Sequence, residues 1–152
     1  MADIQELADR LAIRELCDRY TICVTRRDWD AMAQCFHENG RWRAPAVGYD
    51  FQGRATVKEA ISGIVGAMEY LIQMTHACVI DELTPTRAKV MSVLNEFGKV
   101  SAEAGVFVLG IYYDTVVKEG GRWQFEERNF QLHYMDAAPP PGFKSVDYAN
   151  QP

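Results

Sequence analysis

The sequence has few of the residues that build metal and redox centres. Its four cysteines, Cys17, Cys23, Cys35 and Cys78, form no Cys-x-x-Cys pair, and its three histidines are scattered along the chain. Structural zinc sites and thiol redox motifs need closely spaced ligands. We therefore interpret the four cysteines as small core residues. No metal-binding or nucleotide-binding motif is visible either, so no cofactor is expected.

Long apolar runs and an excess of positive charge are also absent. No run approaches the roughly 20 apolar residues of a membrane-spanning helix. The first ten residues are acidic and amphipathic and do not resemble a signal peptide. The formal net charge is −5, which argues against nucleic acids and anionic membranes as partners, because both favour basic patches. A cytoplasmic location is expected by default.

The chain has the length and composition of one globular domain. It has 152 residues, 48% of them hydrophobic, which is enough for a sizeable core. No linker or internal repeat divides it. We expect one domain over residues 1–136, followed by a proline-rich extension over residues 137–152.

Three helices are predicted in the first half of the chain. Asp3 is a helix cap, and apolar residues then recur with helical spacing from position 4 to 24. Asp28 caps a second predicted helix over residues 29–36, which Asn39-Gly40 would close. Thr56 caps a third over residues 57–70.

Strands dominate the rest of the sequence. A short strand is predicted over residues 41–46, and four longer ones over residues 71–82, 87–99, 106–118 and 122–135. Helices followed by an antiparallel meander indicate an α+β fold. We expect a cone-shaped α+β barrel, with three N-terminal helices packed on a curved, mainly antiparallel sheet around an apolar pocket.

One histidine stands out in the first long strand. Simple alternation places Ile72, Met74, His76, Cys78 and Ile80 on one face. This face is apolar apart from His76, so the alternation predicts an imidazole that points into the core. Such a group is either a hydrogen-bonded structural histidine or a general base in a pocket.

Other polar side chains share inward-facing positions on the neighbouring strands. Glu96 ends the apolar face of its strand, where it either reaches solvent or lies in the pocket. Tyr112 and Asp114 share a face, and a buried Asp114 would need a partner. Arg128 lies on the opposite parity to Trp123 and would form a surface ion pair, unless a bulge turns it inward.

The strand over residues 106–118 is apolar on both faces. Such a strand needs cover on each side. The helices can cover one face, and a second subunit can cover the other. A homodimer or homotrimer is therefore expected.

Taken in order, these features resemble the SnoaL-like branch of the nuclear transport factor two-like superfamily over about residues 5–135. The motifs that carry the resemblance are Tyr20, Arg27-Asp28-Trp29-Asp30-Ala31, Phe36, Trp42, Phe51-Gln52-Gly53-Arg54, Thr75-His76, Gly110-Ile111-Tyr112-Tyr113-Asp114 and Gly121-Arg122-Trp123.

The resemblance implies roles for several residues. The dehydratases and the dehydrochlorinase of this branch share a pocket histidine, which His76 matches. Tyr20 matches a helix tyrosine of the dehydratases, Glu96 resembles a strand carboxylate of the bile-acid dehydratase, and Arg128 resembles a pocket arginine of the dehydrochlorinase. These lyases pair the histidine with an aspartate, and Thr25 stands at that position here.

The sequence therefore predicts a cofactor-independent lyase or isomerase for a hydrophobic cyclic small molecule such as a steroid, terpenoid or aromatic polyketide. His76 would move the proton, Glu96 or Asp114 would orient it, and Tyr20 and Tyr112 would stabilise the oxygen. The other predicted substrate-binding residues are Arg128, Trp42, Met74 and Thr25. The alternative is a non-catalytic binding or assembly module, such as a scaffold like the small subunit of a dioxygenase.

Overall fold

Three helices cover one face of the protein. The computed structural model describes residues 3–152, with α1 at Ile4–Arg26, α2 at Trp29–Gln34 and α3 at Arg54–Gly66. As predicted, Asp3 caps α1 by accepting a hydrogen bond from the backbone N–H of Gln5, and Asp28 caps α2 by accepting one from Ala31.

Six strands form one open, curved sheet. They are β1 at Phe36–Ala44, β2 at Tyr49–Gln52, β3 at Tyr70–Leu83, β4 at Arg87–Lys99, β5 at Gly105–Glu119 and β6 at Arg122–Asp136. The spatial order is β2-β1-β6-β5-β4-β3, and only the β1–β6 pair is parallel. The predicted α+β cone is confirmed, although the sheet also includes β1 and β2 beside the predicted four-stranded meander.

Three helix boundaries were predicted wrongly. The third helix ends at Gly66 rather than at residue 70, and Tyr70 belongs to β3. Asn39-Gly40 does not close α2, because α2 ends at Gln34 and both residues lie within β1. A Cβ atom at Gly40 would lie 2.9 Å from the carbonyl oxygens of His37 and Phe125. Glycine is therefore needed here for close strand packing. The third helix begins at Arg54 after Gly53, whose φ is 93°, so Thr56 is not its cap.

A bulge in β3 overturns the predicted faces of that strand. Thr75 pairs with Leu94 of β4, but Cys78 pairs with Ser92, so β3 carries one extra residue between Thr75 and Cys78. An extra residue reverses the alternation of side chains. Before the bulge, the inward residues are Leu71, Gln73 and Thr75 rather than Ile72, Met74 and His76.

A second bulge, in β6, turns the side chain of Arg128 inward. This was the predicted alternative to a surface ion pair. Asp114 of β5 pairs with Arg128, and two residues later Val116 pairs with Phe125, so β6 carries an extra residue near Glu126. Trp123, Phe125 and Arg128 are consequently all buried. The guanidinium of Arg128 lies in the core and not at the surface.

Residues 137–152 form no helix or strand and fold back over the end of α1. Gln151 donates a hydrogen bond to the carbonyl of Arg26 at 2.8 Å, and the Arg27 guanidinium lies 3.8 Å from the centre of the Tyr148 ring. Within residues 3–152, none of the helices combines the length and apolar character that a membrane crossing requires.

Candidate functional site

A cavity of about 180 Å³ lies between α3 and the concave face of the sheet. Its walls are mostly apolar. Its apolar lining includes Val47, Met68 and Met135, of which Val47 and Met135 are about half exposed. The polar lining residues are Tyr20, Trp42, Tyr49, Gln73, Glu96 and Tyr112. An apolar pocket with a few polar groups is typical of a small-molecule site.

Tyr112 and Trp42 form one polar wall of this cavity. The indole N–H of Trp42 donates a hydrogen bond of 3.0 Å to the Tyr112 hydroxyl oxygen. Trp42 stacks on Phe51 of β2 with ring centres 6.0 Å apart, which fixes the indole. Tyr20 meets Tyr112 edge-on with centres 6.2 Å apart. Burial raises the pKa of both tyrosines, so their hydroxyls stay protonated as hydrogen-bond donors.

Glu96 and Gln73 form the second polar group. The side-chain N–H of Gln73 donates a 2.5 Å hydrogen bond to the Glu96 carboxylate. Burial raises the pKa of Glu96, and the hydrogen bond from Gln73 opposes that shift only in part. A carboxyl with a raised pKa can exchange a proton closer to neutral pH than an ordinary one. Glu96 was predicted either to reach solvent or to lie in the pocket. The structure places it in the pocket.

Asp114 and Arg128 lie behind the cavity and do not line it. The guanidinium donates two hydrogen bonds to the Asp114 carboxylate, at 3.0 and 2.9 Å, and both side chains are almost completely buried. Burial lowers the pKa of Arg128, but the charge of Asp114 outweighs this and raises it overall. Burial raises the pKa of Asp114 against the opposing charge of Arg128. Asp114 thus has the partner that its burial demands.

The same guanidinium organises the aromatic core. Its central carbon lies 3.8 Å from the Tyr112 ring centre, 4.1 Å from that of Phe125 and 4.4 Å from that of Tyr20. Cation–π contacts of this kind strengthen when they are desolvated. The ion pair of Asp114 and Arg128 therefore holds Tyr20 and Tyr112 in place rather than contacting a ligand in the cavity.

The structure places His76 outside the site, so the prediction of an inward-facing imidazole is wrong. The β3 bulge leaves its side chain exposed on the outer face of the sheet. Within residues 3–152, neither Glu96 nor Asp114 makes a hydrogen bond to it. The predicted pairing of His76 with a carboxylate is therefore not formed.

Two further predicted residues also lie elsewhere. Met74 is 37% exposed on the outer face of the sheet and does not line the cavity. Thr25 accepts a 3.0 Å hydrogen bond from the backbone N–H of Gln73 and so ties the end of α1 to β3. Thr25 also lines a second cavity, which is covered by residues 140–146 of the C-terminal tail.

Two buried polar residues, Gln73 and Asp9, were not among the predicted residues. Gln73 faces inward because simple alternation fails at the bulge between Thr75 and Cys78, and the apolar Leu71 on the same parity was a signal for this face. Asp9 is buried and accepts hydrogen bonds from Lys118 at 2.7 Å and Trp123 at 2.9 Å. An acidic residue on the apolar side of α1 was a signal for such a link between α1 and the β5–β6 hairpin.

Known proteins share this architecture. A gamma-hexachlorocyclohexane dehydrochlorinase from Sphingobium indicum is 24% identical over 144 residues, which cover 89% of this chain and 87% of that protein. Among solved structures, hexachlorocyclohexane dehydrochlorinase LinA-type3 from Novosphingobium barchaimii matches with a TM-score of 0.81 at 18% identity, covering 96% of this chain and 99% of the other. A candidate scytalone dehydratase from Novosphingobium aromaticivorans gives a TM-score of 0.78 at 24% identity, covering 93% and 98%.

These structural likenesses establish the fold. The family itself is established by a match over residues 5–129, which fit the description of a SnoaL-like domain. This span contains α1 to α3, β1 to β5 and most of β6, and with them every polar residue of the main cavity. The chain therefore belongs to the SnoaL-like domain family, within the nuclear transport factor two-like superfamily.

Proposed function

We propose that the protein is a cofactor-independent lyase or isomerase that acts on a hydrophobic cyclic small molecule, with Glu96 as its acid–base group. The observation that carries this proposal is a carboxylate of raised pKa that lines a mostly apolar cavity. The dehydrochlorinase and dehydratase names among its relatives fit a lyase.

In the proposed mechanism, the Glu96 carboxylate removes a proton from a carbon next to a carbonyl group. Negative charge then develops on the carbonyl oxygen, where Tyr112 donates a hydrogen bond. Trp42 holds the Tyr112 hydroxyl, and the buried ion pair behind it orients the ring. Glu96 later returns the proton, either to another carbon in an isomerisation or to a leaving hydroxyl in a dehydration.

This proposal moves the acid–base role from His76 to Glu96. An exposed imidazole on the outer face of the sheet is separated from the cavity by the strand itself. A general base must come within hydrogen-bonding reach of the proton that it removes, and Glu96 meets that requirement for a ligand in the cavity.

Solvent deuterium exchange tests the proposal without knowledge of the natural substrate. Cyclic ketones such as cyclohexanone would be incubated with the protein in D₂O, and loss of the protons beside the carbonyl would be followed by NMR. We expect Glu96→Gln to slow the catalysed exchange by about 10²–10⁴-fold. Glu82→Gln, an exposed carboxylate on β3, is the matched control and should exchange like the wild type.

A non-catalytic binding module is the second candidate. The observation in its favour is that Thr25 stands where related lyases have aspartate and is used to tie α1 to β3. Equal exchange by the wild type and Glu96→Gln, together with ligand binding by both, would decide for this candidate.

We also propose that the protein is a homodimer or homotrimer assembled through the outer face of the sheet. That face exposes large apolar side chains on neighbouring strands: Ile72, Met74, Phe97, Leu109, Tyr113 and Tyr134. Light scattering at micromolar concentration is expected to give a multiple of the 17.2 kDa chain mass, and a monomer would refute the assembly.

A further inference from the structure

Cys78 differs from the other cysteines in its access to solvent. Cys17, Cys23 and Cys35 are buried, whereas Cys78 is partly exposed. Cys78 belongs to β3, which is an edge strand of the sheet. Small solutes reach a partly exposed thiol, whereas a buried thiol is protected from them. Cys78 is therefore the cysteine of this chain that a dissolved reagent reaches first.

One side of α1 runs along β3 in the opposite direction and brings a second cysteine to Cys78. Its residues are spaced four apart: Cys17, Thr21 and Thr25. Thr25 accepts its 3.0 Å hydrogen bond from the backbone of Gln73, and the hydroxyl oxygens of Thr21 and Thr75 lie 2.5 Å apart. Residues four apart lie one above the other on a helix. The next turn of α1 therefore places Cys17 beside Cys78, beyond the bulge in β3.

The two thiols make direct contact. Cys78 packs against the buried cluster that includes Cys17, which is 0% exposed, and the thiols hydrogen-bond to each other. This hydrogen bond lowers the pKa of Cys78 to about 7 despite its partial burial. Among nearby charges, Arg14 also lowers this pKa, and Asp114 and Asp18 raise it. The same hydrogen bond, together with burial, raises the pKa of Cys17.

This arrangement gives the two thiols different reactivity. Near neutral pH, Cys78 is largely a thiolate, which is the nucleophilic form of cysteine, whereas Cys17 keeps its proton. An accessible thiolate beside a second thiol is typical of a redox-sensitive cysteine with its resolving partner.

We infer that Cys17 and Cys78 form a reversible redox site, at which a hydroperoxide oxidises Cys78 and Cys17 then closes a disulfide with it. In the first step the Cys78 sulfur attacks the peroxide, so that an S–O bond forms and the O–O bond breaks. Cys17 then attacks the same sulfur. The S–S bond forms, the S–O bond breaks, and the hydroxyl leaves with the Cys17 proton as water. With hydrogen peroxide, two thiols and one peroxide give one disulfide and two water molecules.

The redox site is separate from the main cavity, which neither cysteine lines. It therefore does not rest on the proposed function, and neither Glu96 nor a ligand takes part in the reaction. A dithiol would reverse the step by thiol–disulfide exchange.

Peptide mapping of the oxidised wild type tests the disulfide directly. The reduced protein would be treated with a small excess of hydrogen peroxide near neutral pH, blocked with iodoacetamide and digested without reductant. We expect two of the four thiols to escape alkylation and one linked pair of peptides to contain Cys17 and Cys78. Dithiothreitol should abolish this link. Four alkylated cysteines after peroxide treatment, or a link between other cysteines, would overturn the inference.

Cys17→Ser separates the two steps. Serine keeps a hydrogen-bond donor beside Cys78 but has no sulfur to close the disulfide. We expect the sulfenic acid at Cys78 to persist in this variant and to be labelled by dimedone, whereas the wild type should show little label. Cys35→Ser, at a buried cysteine, is the matched control and should form the link like the wild type. Equal labelling of Cys78 in Cys17→Ser and the wild type would contradict the resolving role of Cys17.

The pH dependence of alkylation tests the contact between the thiols. The rate of iodoacetamide reaction at Cys78 follows its thiolate fraction, so its midpoint in the wild type should lie at about 7. Cys17→Ala removes the donor, and the midpoint should rise towards the ordinary cysteine pKa of about 8.5, which slows alkylation near neutral pH by about tenfold. Cys35→Ala should behave like the wild type. An identical midpoint in all three proteins would overturn the inference.

Discussion

Two carboxylates point inward from neighbouring strands of the sheet, and their surroundings differ in charge and access. Asp114 on β5 receives two hydrogen bonds from a guanidinium and is sealed in the core. Glu96 on β4 receives one hydrogen bond from a neutral amide and faces a cavity. Each acid has a hydrogen-bond partner, but only Glu96 lines the cavity and can meet a ligand there.

This difference separates a structural acid from a reactive one. Burial raises the pKa of Asp114 as well, but the Arg128 guanidinium opposes that shift and occupies both carboxylate oxygens, and Asp114 does not line the cavity. A neutral partner does not offset the burial of Glu96, so its affinity for a proton rises. Burial and a raised pKa alone thus do not mark a catalytic carboxylate; access to a cavity does.

The largest expected effect comes from breaking the ion pair. Asp114→Asn leaves the Arg128 charge buried without its counter-charge, and such losses cost about 3–5 kcal/mol in the free energy of unfolding. Urea denaturation followed by fluorescence would measure it. A loss below about 1 kcal/mol, the range of surface ion pairs, would show that Asp114 and Arg128 do not form the buried pair described here.

The double variant Asp114→Leu with Arg128→Met is the control for this effect. Replacement of a whole buried ion pair by apolar groups is often neutral or stabilising. We therefore expect the double variant to recover most of the stability that Asp114→Asn loses. Activity should recover less, because the cation that orients Tyr20 and Tyr112 is missing.

The second effect concerns the hydrogen-bond donor at the cavity. Tyr112→Phe removes the hydroxyl that would stabilise the developing oxyanion, and loss of one such donor typically lowers kcat by about 10²–10³-fold. The deuterium-exchange assay measures it. Tyr113→Phe, the adjacent residue on the outer face of β5, is the matched control. Equal rates in the two variants would remove Tyr112 from the mechanism.

Much of this architecture could be predicted from the sequence, because helix caps and alternating apolar residues are local signals. Asp3, Asp28 and the boundaries of β4 were predicted correctly. Glu96, Tyr20, Tyr112 and Trp42 were also predicted site residues, and all four line the cavity.

The faces of β3 could not be predicted, because a bulge leaves no distinct trace in the chain. Because of one extra residue between Thr75 and Cys78, Gln73 faces inward, whereas the alternation predicted that His76 would. The end of α2 was also missed. Asn39-Gly40 is a typical helix terminator, and only its close approach to Phe125 of β6 reveals another reason for the glycine.

The smallest expected effect is that of His76→Ala. Surface substitutions usually change the free energy of unfolding by no more than about 0.5 kcal/mol, and an exposed residue outside the cavity should not alter the exchange rate. Parallel denaturation and exchange assays check both points. A large fall in exchange with unchanged stability would return the catalytic role to His76.

The pH dependence of stability tests the raised pKa of Glu96. Burial raises the pKa of Glu96 in the folded protein, so the folded state holds a proton that the unfolded state releases. Stability should therefore fall as the pH rises from the ordinary glutamate pKa of about 4.3 through the folded value. Glu96→Gln removes the contribution of Glu96 and so makes this fall smaller, and denaturation at several pH values would detect the change. A fall that persists in Glu96→Gln would have to come from another group.

The most direct test of the account is the pH profile of deuterium exchange in the wild type, His76→Ala and Glu96→Gln. Because the active base is the ionised carboxylate, the rate should rise with pH through a midpoint above the ordinary glutamate pKa of about 4.3. We predict that this rise persists in His76→Ala and disappears in Glu96→Gln. A rise that disappears in His76→Ala and persists in Glu96→Gln would contradict the assignment of Glu96 as the acid–base group.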